Sequence, residues 1–259
     1  HQRGKEGVDM ALTDSKTLPM NETSPVKPEI NPENRENGFA DNIEHLEALE
    51  YLSRLRLTRA YLLAGDSPHA SPTSPYAIPV HMKNRKDRIG HPDLSFLNIS
   101  KGELSLDEIN TWIRQQEKQL RQKTKTSIER GIHLYFEDFC ISHKLDSFER
   151  TVLSLILANN TCKAFRDFYE KSLLDPHDRQ DGGMSIGTIL SIIHPDYRDQ
   201  ITHRRYFSIA ASLIRHEVLV PHYSYDETTN ILDVYVHLHE RILRYLLGVK
   251  TIPFEANSN

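Results

Sequence analysis

The stretch from residue 146 to residue 248 constrains the fold of this chain more than any other part. It opens with Asp146-Ser147-Phe148-Glu149, in which Asp146 can cap a helix and Glu149 can bond back to the cap. Short helical patterns follow, and Gly248 after two leucines is typical of a left-handed helix end. Two runs of β-forming residues, 219–225 and 231–238, flank a turn-prone segment. The stretch therefore predicts helices followed by a hairpin.

Helices followed by a two-stranded hairpin form a winged-helix pattern, which we predict for residues 146–250. The predicted fold class is mainly α with a small β-hairpin, and amphipathic helices precede the winged-helix domain. Asn160 is expected to cap the second helix of this domain, and Ser185 the third. Helices are expected at 186–193, near 196–206, as a short turn at 209–216, and at about 239–247.

Three segments of different composition lie at the start of the chain. Residues 1–40 are rich in Pro, Asn, Glu and Ser and predict a disordered lead, because they offer too little apolar surface for burial. Residues 41–66 predict an amphipathic helix, since leucines recur there mostly three or four residues apart. Residues 67–104 contain several prolines, which exclude a helix, and then a basic run. We interpret them as a linker.

Residues 105–145 predict two helices that pair and pack on the winged-helix domain. Ser105 with Glu108 forms a capping box for the first helix, and Thr126 with Glu129 is expected to start the second. At the other end of the chain, residues 251–259 are interpreted as a tail or the start of a linker. The winged-helix domain is therefore expected to follow a helical lead.

Composition indicates an intracellular chain with no strong global charge. The formal net charge is −4 and the pI is about 6.4, so the whole chain exerts no general attraction on nucleic acid or anionic lipid. No apolar run approaches the roughly 20 residues of a membrane span, and no secretory signal is visible. We expect a cytoplasmic protein with no membrane partner. Cys140 and Cys162 are expected to be free thiols.

The sequence offers no set of residues for catalysis or cofactor binding. The chain has 14 histidines, but His237 and His239 lack an evident third ligand, and there is no C-x-x-C pair. There is no G-x-S-x-G elbow for a nucleophile and no G-x-x-x-x-G-K-[ST] loop for a phosphate. We therefore expect no catalytic residue, no metal and no cofactor in this chain.

DNA binding is the first function that a winged helix suggests. In that motif the third helix is expected to enter the major groove, yet residues 186–193 offer only Ser, Thr, Gly and aliphatic side chains. Between residues 146 and 220 there are nine Lys or Arg and ten Asp or Glu. The basic groups lie at 83–88, at 114–125 and at three arginines near residue 200. Nucleic-acid binding through these segments stays open as the alternative function.

Four sets of motifs mark the domain: Phe148-Glu149-Arg150, then Ser185-Ile186-Gly187-Thr188-Ile189-Leu190, then Arg204-Arg205-Tyr206-Phe207 with Leu213-Ile214-Arg215, and Glu240-Arg241-Ile242-Leu243-Arg244-Tyr245-Leu246-Leu247-Gly248. Together they resemble the N-terminal winged-helix domain that precedes the ATPase module in a group of bacterial and archaeal AAA+ ATPases. Some of those ATPases are encoded with contractile injection systems. The likeness covers roughly residues 94–250, including the helices at 105–143 as a lead-in.

The resemblance implies a module that recruits a protein substrate or adaptor. Walker motifs, sensor residues and an arginine finger have no counterpart here, so ATP and magnesium would belong to a downstream ATPase module. A ring formed by that module would make the parent a homo-oligomer. We expect a non-catalytic chain whose partner is a protein and not nucleic acid. The candidate partner contacts are Arg198, Arg204, Arg205, Asp226 and Asn230.

Overall fold

A computed structural model describes residues 38–65, 105–173, 183–222 and 230–249. Within these ranges the helices are α1 (Asn42–Gly65), α2 (Leu106–Glu129), α3 (Tyr135–Ser142), α4 (Ser147–Thr161), α5 (Lys163–Ser172), α6 (Ile186–Ile193), α7 (Tyr197–His203), α8 (Ser212–Arg215) and α9 (Glu240–Leu246). The strands are β1 (Met184–Ser185), β2 (Leu219–His222) and β3 (Tyr235–Leu238), and 3-10 helices span Arg204–Phe207 and Ile231–Asp233. The predicted linker 67–104 and tail 251–259 lie outside the described residues.

The predicted fold class, mainly α with a small β element, is confirmed. The sheet is antiparallel with the strand order β1-β3-β2; Met184 pairs with Val236, and Leu219 pairs with Leu238. Strand β1 has no counterpart in the sequence prediction. The expected strand 231–238 begins four residues late, because Asn230 Oδ1 accepts a hydrogen bond from the Leu232 backbone N (3.2 Å) and starts a 3-10 helix instead.

Helix α4 is the centre of the core. Its residues Val152, Leu153, Leu155 and Ile156 are fully buried, so the helix is apolar on nearly every side. A helix of that kind must be covered by other elements all round. Burying each such side chain contributes about 1.5–3 kcal/mol. The elements that cover α4 include α1, α5, α6 and β3.

Helix α1, the predicted amphipathic helix of residues 41–66, belongs to this core. Leu49, Leu57 and Ala60 of α1 are buried in the same cluster as α4. The contact is polar at one point, where Ser53 Oγ lies 2.9 Å from Ser154 Oγ. Because both hydroxyls are buried, each satisfies the other where water does not reach. The N-terminal helix is therefore part of the folded domain.

Helix α2 differs from its prediction in both length and partner. It runs through Thr126 to Glu129, and the chain then turns at Gly131 (φ +74°) before α3. Thr126 therefore starts no helix. The apolar face of α2 packs chiefly against α1, in a second cluster of Leu52, Leu55, Ile109 and Ile113. The expected pairing of the two helices in 105–145 is replaced by this contact, because α3 joins the main core through Phe136, Phe139 and Cys140.

Part of the predicted disordered lead is ordered. Residues 1–37 lie outside the described residues, but Phe39 is only 1% exposed. Its backbone N donates to Ser127 Oγ (2.7 Å), its ring meets the ring of His45 edge-on, and Lys123 lies over its face. The prediction of disorder to residue 40 is wrong at this point, because one large side chain finds a pocket between α1 and α2.

The helix starts show how much of the fold is local. The capping boxes at Ser105 and Asp146 are both present, and Ser185 caps α6 through its bond from the Thr188 backbone N. Asn160 is not a cap: its side chain donates back to the Ile156 carbonyl within α4. Cys162 caps α5 instead, with Sγ accepting from the Phe165 backbone N (3.3 Å).

A buried polar network joins α1, α3 and α4. Glu137 lies 3.5 Å from His45 Nε2 and accepts a 2.7 Å hydrogen bond from Arg150. Burial would raise the pKa of Glu137, but the interactions with His45 and Arg150 outweigh it, so the pKa lies below its ordinary value. His45 is fully buried. The network therefore holds a charge inside the helical layer.

The two cysteines are buried free thiols, as predicted. Among the helices in the described ranges, none combines the length and apolar character that crossing a membrane requires.

Candidate interaction surface

Helices α6 and α7 form a helix-turn-helix pair, joined by only three residues, 194–196. Ile186, Ile189, Leu190 and Ile192 of α6 are buried, so α6 is the supporting helix of the pair. The second helix of such a pair is the one that presents side chains to a ligand. The interpretation of 186–193 as the helix at the groove-facing position of the motif is therefore wrong. Helix α7 occupies the presenting position.

Contacts at both ends fix the position of α6. Arg59 of α1 donates to the carbonyls of Ile192 and Ile193 (2.9 and 3.0 Å), which would otherwise lack partners at the helix end. At the other end, Gly187 allows the Leu232 carbonyl to come close: an added Cβ would lie 3.0 Å from that oxygen. Helix α1 and the 3-10 helix Ile231–Asp233 therefore hold α6 in place, and α6 in turn positions α7.

The outer face of α7 and the 3-10 helix that continues it is a solvent-exposed stripe. It consists of Arg198, Ile201, Thr202 and Arg205, and we call it the α7 stripe. These positions follow the i, i+3, i+4, i+7 spacing that places side chains on one face of a helix. Ile201 is 45% exposed. The stripe therefore presents an aliphatic side chain between two guanidinium groups.

The inner face of the same segment packs against aromatic and histidine rings. His203 lies 4.0 Å from His194 and 4.6 Å from Phe148, measured between ring centroids, and Tyr206 is 4.7 Å from Phe148. Burial and the neighbouring His203 lower the pKa of His194. The Tyr206 hydroxyl donates to Asp146 Oδ2 (2.5 Å). This layer gives the stripe a rigid base on the first turn of α4.

The two arginines of the stripe form no ion pair with the described part of the chain. Among the described residues, no carboxylate lies within 4 Å of the side-chain nitrogens of Arg198 or Arg205. The Arg205 guanidinium lies 5.3 Å from the centre of the Tyr206 ring, a cation–π distance. Two exposed acids, Asp196 and Asp199, stand at the first turn of α7. The surface is therefore mixed in charge: two arginines and two aspartates are exposed on it, and none of the four forms an ion pair with another described residue.

The predicted contact residues do not form one group. Arg198 and Arg205 lie together on the α7 stripe, whereas Arg204 is half-buried on the other side, with its Nε shielded from solvent. Asn230 is exposed, but the 3-10 helix that it starts packs against the beginning of α6, whereas α7 follows the end of α6. The two ends of α6 are about 12 Å apart along its axis, so Asn230 does not lie beside the α7 stripe. Asp226 lies outside the described residues.

The exposed isoleucine of this surface, Ile201, escaped the sequence reasoning. Elsewhere in the described residues, Ile209 is 83% exposed and Val220 is 42% exposed. An isoleucine in a segment that looks amphipathic is usually assigned to the core face. The signal that could have found Ile201 is its position three residues after Arg198, which places both on the same face.

The other basic candidate, the segment 114–125, is only partly paired. Lys123 pairs with Glu44 (3.2 Å) and Lys125 lies 3.9 Å from Glu129, whereas Arg114, Lys118 and Arg121 are exposed. The basic run 83–88 falls outside the described residues. No group of three or more His, Cys, Asp or Glu side chains in the described part of the chain could hold a metal ion.

The order of helices and strands defines a winged-helix architecture, and comparison with protein families agrees. The family model described as "Winged helix domain, variant" matches residues 27–257, which is most of the chain. The protein belongs to this winged-helix family, which indicates a role in binding DNA or protein. Comparison with curated proteins and with solved structures gave no match.

Proposed function

We propose that this chain is a non-catalytic protein-interaction module that binds its partner through the α7 stripe. The observation that carries the proposal is the exposed aliphatic residue Ile201 between Arg198 and Arg205, on the presenting helix of a helix-turn-helix pair. Arginine and aromatic side chains are enriched at protein interfaces, whose buried centres are apolar, whereas lysine is depleted there. Residues 194–222 contain four arginines and no lysine. This composition supports a protein partner.

The second candidate function is duplex DNA binding, which the position of α7 favours. Residues in the first turn of a recognition helix contact base edges. That turn carries Arg198, but also the exposed carboxylates of Asp196 and Asp199, which would repel phosphates. Binding of a DNA duplex should therefore be weak. Affinity that falls by about 0.9 log units per contacted phosphate for each decade of salt would support DNA instead.

The proposed place of this module is at the N-terminus of an AAA+ ATPase, where it recruits a substrate or adaptor. The support is the sequence resemblance of residues 94–250 alone. Two measurements test it. The reading frame that encodes the parent should continue into a P-loop module, and the chain by itself should not turn over ATP. ATP hydrolysis by this chain would contradict the non-catalytic assignment.

The stripe is tested by charge reversal. The double variant R198E/R205E should lose at least about tenfold in partner capture, since each reversed charge meets a complementary group with the wrong sign. R114E/R121E on α2 is the matched control, because it changes the same charge at two other exposed arginines. Circular dichroism should show both variants folded. Equal capture by R198E/R205E and the control would contradict the proposal.

A further inference from the structure

Resting on the proposed function, we infer that the occupant of the α7 stripe is an acidic helical segment of a partner protein. This segment carries two carboxylates seven residues apart, with aliphatic side chains between them. The inference follows from the spacing of the stripe, from the absence of any described carboxylate within 4 Å of its arginines, and from the exposed isoleucine. Each of these observations restricts the partner's chemistry.

The first restriction is distance. Arg198 and Arg205 are seven residues apart, so their Cα atoms are separated by about 10 Å along the helical axis. A second helix packed at a small angle along the stripe has the same repeat. A Glu or Asp at positions i and i+7 of that helix therefore reaches both guanidinium groups in register. Paired guanidinium and carboxylate groups can form two parallel hydrogen bonds.

The second restriction is charge. Neither arginine has a carboxylate within 4 Å among the described residues, so the positive charges are available to a ligand. Asp196 and Asp199 at the first turn of α7 limit where a further acid can lie, because like charges face to face are destabilising. The partner is acidic opposite the two arginines and neutral or basic opposite the first turn.

The third restriction is the apolar group between the charges. Ile201 is 45% exposed, and Ile209, four residues beyond Arg205, is 83% exposed. The phosphate backbone of a nucleic acid has no aliphatic group to cover Ile201, and the apolar group that the DNA major groove offers is the small methyl group of thymine. A leucine at position i+3 or i+4 of an acidic helix would cover it, and removing that area from water contributes about 25 cal/mol per Å². Charge and burial together favour an acidic amphipathic helix.

The test uses synthetic helical peptides and the full chain, with binding measured by fluorescence anisotropy at about 0.1 M salt. The reference peptide carries Glu at i and i+7 and Leu at i+3 and i+4. Control peptides replace both Glu by Gln, replace both Leu by Ala, or move the second Glu to i+5. Each control should bind at least about tenfold more weakly than the reference. A fourth peptide carries Lys in place of both Glu and should bind R198E/R205E better than it binds the unaltered chain.

The outcomes separate this inference from the proposed function. If the Glu and Gln peptides bind equally and the Lys peptide does not recover binding to R198E/R205E, the inferred partner class is wrong. The protein-binding role would still stand if partner capture depends on the same two arginines. If a DNA duplex displaces the reference peptide and its own binding depends on Arg198 and Arg205, the occupant is nucleic acid and both proposals fall.

Discussion

The hydrogen bond from Tyr206 to Asp146 predicts that one carboxylate stabilises both α4 and the base of the α7 stripe. Asp146 Oδ1 accepts from the Glu149 backbone N (2.9 Å), and Oδ2 accepts from the Tyr206 hydroxyl (2.5 Å). The bond to Asp146 raises the pKa of Tyr206, because the carboxylate holds the phenolic proton. Changing Asp146 to Ala removes both acceptors at once.

The expected losses of unfolding free energy follow from the two roles of Asp146, as a helix cap and as the acceptor of the Tyr206 bond. Loss of an aspartate N-cap costs about 1 kcal/mol, within a range of roughly 0.5–2. Loss of an intramolecular hydrogen bond costs about 0.5–1.5 kcal/mol, and the lower part of that range applies here because Asp146 is exposed to water. We expect D146A to lower the free energy of unfolding by about 1.5–2 kcal/mol and Y206F by about 0.5 kcal/mol. D146N should lose about 0.5 kcal/mol, since asparagine caps equally well but has an amide nitrogen where Oδ2 accepts the bond from the Tyr206 hydroxyl.

The assay is urea unfolding followed by circular dichroism, applied to the single variants and to D146A/Y206F. Because the two residues share one bond, the double variant should lose less than the two single losses added together, by about 0.5 kcal/mol. Strict additivity would mean that the Tyr206 bond contributes nothing. A loss below about 0.5 kcal/mol for D146A would refute the assignment of the cap as well.

Three further predictions concern the rest of the domain. G248A should lose more stability than G131A, because both glycines have a positive φ but only an added Cβ at Gly248 meets a neighbour, 2.9 Å away in the Tyr135 ring. Thermal unfolding should show that G248A loses about 1 kcal/mol or more beyond the loss of G131A. Equal losses would contradict the contact with Tyr135. Because the pKa of Glu137 is lowered in the folded state, its contribution to stability is fully present above pH 4.5 and is lost as the pH falls through the folded-state pKa. Between neutral pH and about pH 3, the urea midpoint of E137Q should therefore fall less than that of the unaltered chain. The same acid dependence in both proteins would count against this network. Burial raises the pKa of the Cys140 thiol to about 12, so a thiol reagent at neutral pH should label it only after unfolding; rapid labelling of the native chain would show that the site opens.

The sequence predicts the local starts of helices well, because a cap and its partner are three residues apart. Ser105, Asp146 and Ser185 are caps as expected. Prediction fails where a distant contact competes with the local pattern, and also at Asn160, whose side chain bonds back to the Ile156 carbonyl within its own helix. Thr126 resembles a helix start, but α2 continues through it. In the same last turn of α2, Ser127 Oγ accepts a hydrogen bond from the backbone N–H of Phe39, which is 88 residues away in the chain. Strand β1 has only two residues, too few to show a period, and exists because β3 pairs with it.

The candidate site shows the same division. The sequence identifies Arg198, Arg204 and Arg205 as a basic group near the end of the helical run, but it cannot say which of them face solvent. Packing on the rings of Phe148 and His194 decides that, and it turns Arg204 inward while Arg198 and Arg205 stay outside. The choice of presenting helix also depends on tertiary structure, because α6 becomes the supporting helix only when α1 covers it.

The amino-acid order by itself therefore determined the fold class, the caps at Ser105, Asp146 and Ser185, and the thiol state, since these depend on composition and on neighbours within one helical turn. The tertiary structure alone decided that α1 and Phe39 join the core, that α2 packs on α1, and that α7 carries the exposed stripe. Those features depend on which apolar faces meet across long chain separations. The physical reason is that burial is a property of the whole packed assembly, whereas a hydrogen-bonded turn is a property of a few residues.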